Sequence, residues 1–206
     1  MTASSKLGRG PSSSAPIILK SDGKKKSTGW SSVREQLKEW PQRALTALIK
    51  DLYDASPANR DFLHARFQAE ETGSVALDAY RRKIIEQFFP QRGFGKLKLA
   101  EARKAIRDYR KAAGNAAGTV ELMLTFVENG TEYTCQFGDI DGPFYNQLAS
   151  VLNEMVQLLW QEGAELYPRF RERIVRLETL GSHLGGGYGD ELRAQVYFLE
   201  DELTGG

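Results

Sequence analysis

Between Phe137 and Gly163 the chain reads FGDIDGPFYNQLASVLNEMVQLLWQEG, and no other stretch limits the possible folds as tightly. Phe144, Leu148, Val151, Leu152, Met155, Leu158 and Leu159 recur at three- and four-residue spacing, while Gln147, Ser150, Glu154, Gln157 and Gln161 fall on the other side. This pattern predicts a half-buried amphipathic helix whose apolar stripe must be covered by other elements. Asp141 is placed to cap its first turn, Pro143 supplies the preset φ of an early helical position, and Gly163 stands where a left-handed C-terminal residue belongs.

The same periodicity runs through most of the chain. Ser31 or Ser32 is placed to cap a short helix through Trp40, and Pro41 opens a second with Leu45, Leu48, Ile49 and Leu52 on one face. Ser56 and Pro57 announce a third, in which Phe62, Leu63 and Phe67 face inward beside His64. A fourth is predicted over about Ser74 to Phe89, with Leu77, Tyr80, Ile84 and Phe88 as its buried stripe and Pro90 as its stop. The fifth, Leu99 to Ala113, sets Leu99, Ala102, Ile106, Tyr109 and Ala113 against a face of Arg103, Lys104, Arg107, Arg110 and Lys111. Beyond Gly163, Leu166, Phe170, Ile174 and Leu177 keep helical spacing, Pro168 marks or kinks a first turn, and Leu192, Val196, Leu199 and Leu203 line a closing helix.

Thr119 to Phe137 is the ambiguous stretch. As strands, Leu122, Leu124 and Phe126 alternate with Met123, Thr125 and Val127, and Asn129-Gly130 is a strong hairpin turn signal. As a helix, Leu122, Phe126, Tyr133 and Phe137 keep one face, and Gly130 is a tolerated interior glycine or a break between two short helices. A hairpin here has no sheet to join and is marginal alone, which favours the helix. The fold expected is therefore all-α: an irregular helical bundle or short α-solenoid of about seven helices, with no repeat at a fixed period. Residues 30–206 form one helical domain in this expectation. Residues 1–29, rich in Ser, Gly, Lys and Pro, read as a disordered basic tail whose Ile17, Ile18 and Leu19 offer too little apolar area to offset ordering.

The string LMLTFVENGTEYTCQFGDIDGPFYNQLASVLNEM, with LYDASPANRDFL and YRRKIIEQFFPQRGFGKLKLAEARKAI before it, resembles a family of small bacterial proteins classed only as a domain of unknown function. The likeness covers roughly residues 40–160, and its most specific part is the GDID-x-x-FYN run from Gly138 to Asn146. It implies a helical fold and carries no activity, cofactor or catalytic residue.

Charge narrows the functional classes. The net +1 of 206 residues conceals a balance of +7 over residues 78–111 and −10 over 112–206, an asymmetry that points to an electrostatic partner or self-contact. Arg92, Lys96 and Lys98 in the loop QRGFGKLK, with Arg103, Lys104, Arg107, Arg110 and Lys111, make a candidate basic binding face. The loop's glycines, Gly93 and Gly95, invite comparison with a phosphate cradle, but they follow a helix and match no nucleotide fingerprint. Asp139 and Asp141, with Phe144 and Tyr145, make a second candidate: an acidic, aromatic turn suited to a basic partner. As a catalytic carboxylate pair the two aspartates are poorly supported, since capping already accounts for Asp141.

Cys135 and two histidines, His64 and His183, give neither a disulfide framework nor a Cys/His zinc site within one chain, so no metal or cofactor is expected and Cys135 reads as an inert half-buried thiol. With no run of roughly 20 apolar residues and no secretion signal, the expectation is a cytoplasmic protein without a membrane partner. Two roles fit: a noncatalytic adaptor binding a protein partner or itself through segregated acidic and basic surfaces, or a nucleic-acid-binding accessory using residues 99–113 and the Lys-rich tail. An enzyme ranks third.

Overall fold

The structure, a computed structural model, describes residues 29–67, 75–162 and 165–205. The tail expected over residues 1–29 lies, apart from Gly29, outside the described residues, as do the Ser74 helix start and the Gly163 cap. Among the described residues every regular element is helical, with nine α-helices and one 3-10 turn where about seven helices were expected. As expected, Pro41 separates the first two helices, and Pro168 sits in a 3-10 turn of its own.

The chain divides into two units, Met1–Ala47 and Leu48–Gly206. In the first, α1 (Trp30–Leu37) starts ahead of the two serines expected to cap it. Gly29 takes the cap position, its carbonyl accepting from Ser32 N at 3.0 Å, and no side chain caps the helix. No residue of α1 is buried, and Trp30, Val33 and Trp40 are exposed. The carbonyl of Pro41 accepts from Ala44 N and Leu45 N at 2.9 and 3.1 Å, so α2 (Gln42–Ala55) begins where the proline predicts and runs on into the second unit.

The second unit continues with α3 (Pro57–Phe67), α4 (Val75–Phe88), α5 (Leu99–Ala113), α6 (Ala116–Phe137) and α7 (Gly142–Glu162). After the 3-10 turn Tyr167–Arg169 come α8 (Arg171–Gly181) and α9 (Tyr188–Thr204). Ser56 Oγ accepts from Asn59 N at 3.2 Å, the cap foreseen for α3. Phe62 and Leu63 are partly buried, but Phe67 is exposed rather than inward, and Ala65 is the buried residue of α3.

Helix α6 organises this unit. It packs against α4, α5, α7 and α8, and Leu122, Leu124, Phe126 and Val127 are fully buried. The Asn129-Gly130 signal is overruled for a steric reason. A Cβ on Gly130 would sit 2.2 Å from Leu148 Cδ2, so the glycine is the notch into which α7 presses its leucine. At the other end, Gly114 ends α5 with a φ of 62°, and Asn115 then caps α6 by accepting from Gly118 N at 2.8 Å. The extensively packed pairs are one or two elements apart in sequence: α3 with α4 and α5, α4 with α5 and α6, α6 with α7 and α8, α9 with α7 and α8.

Ion pairs reinforce the apolar packing, among them two clusters. Arg173 on α8 bonds Glu128 (2.9 and 2.6 Å) and Glu121 (2.6 Å) on α6, and Glu121 also accepts from Arg81 on α4 at 3.1 Å. The Glu128 bonds hold the Arg173 guanidinium protonated more firmly than usual, against the cost of partial burial. Near the C-terminus the buried Tyr167 donates its hydroxyl to Glu200 at 2.5 Å, while Arg171 grips the same carboxylate at 2.7 to 3.2 Å. Those bonds, Arg171 first and Tyr167 second, hold the Glu200 carboxyl below its ordinary range.

Candidate interaction surfaces

The basic face is divided by the fold. Arg103 reaches across to α7, donating to Gln147 Oε1 at 2.8 Å and Glu154 Oε1 at 2.5 Å, so it serves packing between helices. Lys104 bonds Asp108 one turn along its own helix at 2.5 Å. Arg107, Arg110 and Lys111 are exposed, and among the described residues none has an ion pair through its side chain. The carbonyl of Lys111 accepts from Arg66 on α3 at 2.7 Å.

The loop before α5 is firmly seated. Leu97 N donates to the Gln87 carbonyl at 2.9 Å, and Leu97 packs on the core with a φ of 49°, in the left-handed region that few leucines adopt. Gly95 lies hard against α4, where a Cβ would fall 2.2 Å from the Phe88 carbonyl oxygen. Between these anchors and Pro90, Phe94 stands 82% exposed, flanked by exposed Arg92, Lys96 and Lys98. The close approach that requires Gly95 is to α4, which accounts for this glycine without a phosphate.

The acidic, aromatic turn is structural. Asp141 Oδ1 accepts from Phe144 N at 2.8 Å, the predicted cap of α7. Asp139 Oδ1 accepts from the Tyr145 hydroxyl at 2.7 Å. Phe144 and Tyr145, expected as anchors for a partner, are buried at 4% and 7% exposure. Phe144 joins a ring cluster with Phe88 and Tyr133, and Tyr145 packs on Tyr188 with centroids 5.7 Å apart. Burial first, then the Asp139 bond, raises the Tyr145 pKa. The GDID-x-x-FYN run is thus accounted for as the connection that docks α7 on α6.

Cys135 is exposed rather than half-buried, and desolvation of the sulfur followed by Glu132 raises its pKa, the opposite of nucleophile activation. His64 Nε2 lies 3.1 Å from the Tyr53 hydroxyl, a satisfied neighbour contact. No group of three or more His, Cys, Asp or Glu side chains able to hold a metal occurs among the described residues. Nor, among them, is any helix long and apolar enough to cross a membrane.

Two surfaces escaped the sequence reading. The first is the apolar face of α2: Leu48 is only partly covered, and Ile49 and Leu52 are each 49% exposed, although their spacing marked them as core. The second is a groove of about 490 Å³ in which Arg110 faces Ser150, Asn153, Gln157 and Gln161 of α7. Its sequence signal was present in the polar side of α7, but only the packing of α5 beside that side turns it into a groove. Comparison of the chain with protein-family models, curated proteins and solved structures finds no match.

Proposed function

We propose that this chain is a noncatalytic helical adaptor that binds a protein partner or a second copy of itself. One observation carries the proposal: α2 has a well-segregated apolar face and no buried residue. Water-facing leucines and isoleucines on one side of a helix are the usual mark of a surface completed by another chain. The exposed cations of α5, Arg107, Arg110 and Lys111, add a charged contact of the kind that steers association. The most extensive packing joins helices one or two apart, which supports a short, irregular α-solenoid for Leu48–Gly206, an architecture suited to extended binding surfaces.

The test is photo-crosslinking in cells from a light-activated residue at position 49, with position 50 as control, since Lys50 lies on the polar side and pairs with Asp54. Discrete protein adducts at 49 that are absent at 50 are expected. Adducts no different from the control would remove the α2 contact on which the proposal rests.

A nucleic-acid-binding role is the second reading, favoured by Phe94, whose exposed ring between Arg92 and Lys96 is suited to stacking on an unpaired base. It requires oligonucleotide affinity that falls with salt by about 0.7 in log–log slope for each phosphate contact on a single strand. Phe94→Ala would weaken that binding, and a fall in affinity too shallow for even one contact rules the reading out.

A further inference from the structure

We infer that the α5–α7 groove binds an extended, acidic peptide segment of a partner protein, an inference that rests on the adaptor role and names the chemistry of its contact. Asn153, Gln157 and Gln161 follow one another at four-residue intervals along the wall of the groove. Four residues of α-helix advance about 6 Å, and two residues of extended chain advance about 6.6 Å. The amides therefore nearly keep step with every second peptide unit of a chain lying along α7. Each carries both a donor and an acceptor, which is what a backbone N–H and C=O require. Among the described residues no hydrogen bond occupies any of the three side chains, while the neighbouring Gln147, Ser150 and Glu154 are already bonded.

Arg110 supplies the charge preference. It lies two helical turns beyond Arg103 on the same side of α5, and it lines the groove with no ion pair of its own. A guanidinium there is suited to a carboxylate in bidentate geometry. Glu154 decides between peptide and nucleic acid. Its carboxylate, held by Arg103 and Ser150, lines the same groove and repels a continuous run of phosphates, whereas a peptide can set one acidic side chain beside Arg110 and neutral ones beside Glu154. Leu158, 8% exposed, adds an apolar patch to the lining.

The experiment is selection from a displayed library of random ten-residue linear peptides on the full chain, repeated with Arg110→Glu and with Gln157→Ala. Both residues are exposed, so both variants should fold, which circular dichroism checks. Wild type is expected to enrich peptides that share an Asp or Glu. Arg110→Glu should switch that position to Lys or Arg, and Gln157→Ala should weaken the wild-type winners about fivefold, the worth of one net hydrogen bond. No enrichment, enrichment indifferent to both substitutions, or displacement of the winners by labelled oligothymidine would overturn the groove. Peptide selection failing while crosslinks from position 49 persist removes the groove alone. The reverse outcome removes the α2 contact alone.

Discussion

Helices α2 and α7 carry the same kind of message in sequence and meet opposite fates. In α7 the apolar stripe Leu148, Val151, Leu152, Met155 and Leu159 is buried to 1% exposure or less, against α6 on one side and α9 on another. In α2 the stripe Leu45, Leu48, Ile49 and Leu52 has the same spacing, yet two of its four members are half exposed. Periodicity states that a face must be covered and is silent about what covers it. For α7 the cover is written elsewhere in the chain, and for α2 we propose that another chain supplies it.

The largest effects belong to the covered side. Leu152→Ala should destabilise by about 2–5 kcal/mol in urea unfolding, because the emptied site is closed all round and cannot collapse. A cost below about 1 kcal/mol would put α7 in the same class as α2. Next comes Arg173→Met, which leaves Glu121 and Glu128 without their α8 partner and should cost about 1–3 kcal/mol, reduced toward the lower figure because all three side chains keep some contact with water. Most of that cost should vanish when Glu128→Gln is added, since the uncompensated carboxylate is what destabilises.

An alkaline titration sharpens the same contrast. Burial, followed by Asp61 and Asp108, pushes the Tyr80 phenol up to about 12. The unfolded tyrosine ionises near pH 10, so between those values the unfolded chain releases a proton that the folded one keeps, and stability falls as pH rises. In Tyr80→Phe the decline from pH 10 to 12 should be shallower. An unchanged slope would show that Tyr80 is not the group responsible. The smallest effect belongs to the uncovered side: the pair Ile49→Glu and Leu52→Glu should shift the stability of the dilute monomer by no more than about 0.5 kcal/mol, while abolishing crosslinks from that face. A loss above 2 kcal/mol would mean that the chain covers α2 itself.

What could be read from the sequence follows the range of the forces involved. The cap at Asp141, the cap at Ser56 and the helix start after Pro41 were legible because each is completed within three or four residues. Residues 119–137 read as helix only after a strong hairpin signal was set aside, and the reason Gly130 is there, Leu148 of the next helix, lies 18 positions away. The division of the basic face was illegible because Arg103 finds Glu154 across 51 positions, and the Arg173 contacts span 45 and 52. Phe144 and Tyr145 misled for a related reason: an aromatic beside a charged turn looks the same in sequence whether it faces a partner or the core.

That the described residues leave the α2 face half uncovered is open to amide hydrogen exchange on the dilute, monomeric protein. Exchange in α6 and α7 should be limited by global unfolding, and the amides of residues 48–55 should exchange orders of magnitude faster, through local opening of a helix with no buried side chain to hold it. Raising the protein concentration slows residues 48–55 if the covering chain is a second copy and leaves them fast if it is another protein. Protection of residues 48–55 equal to that of α6 in the dilute monomer would contradict the account.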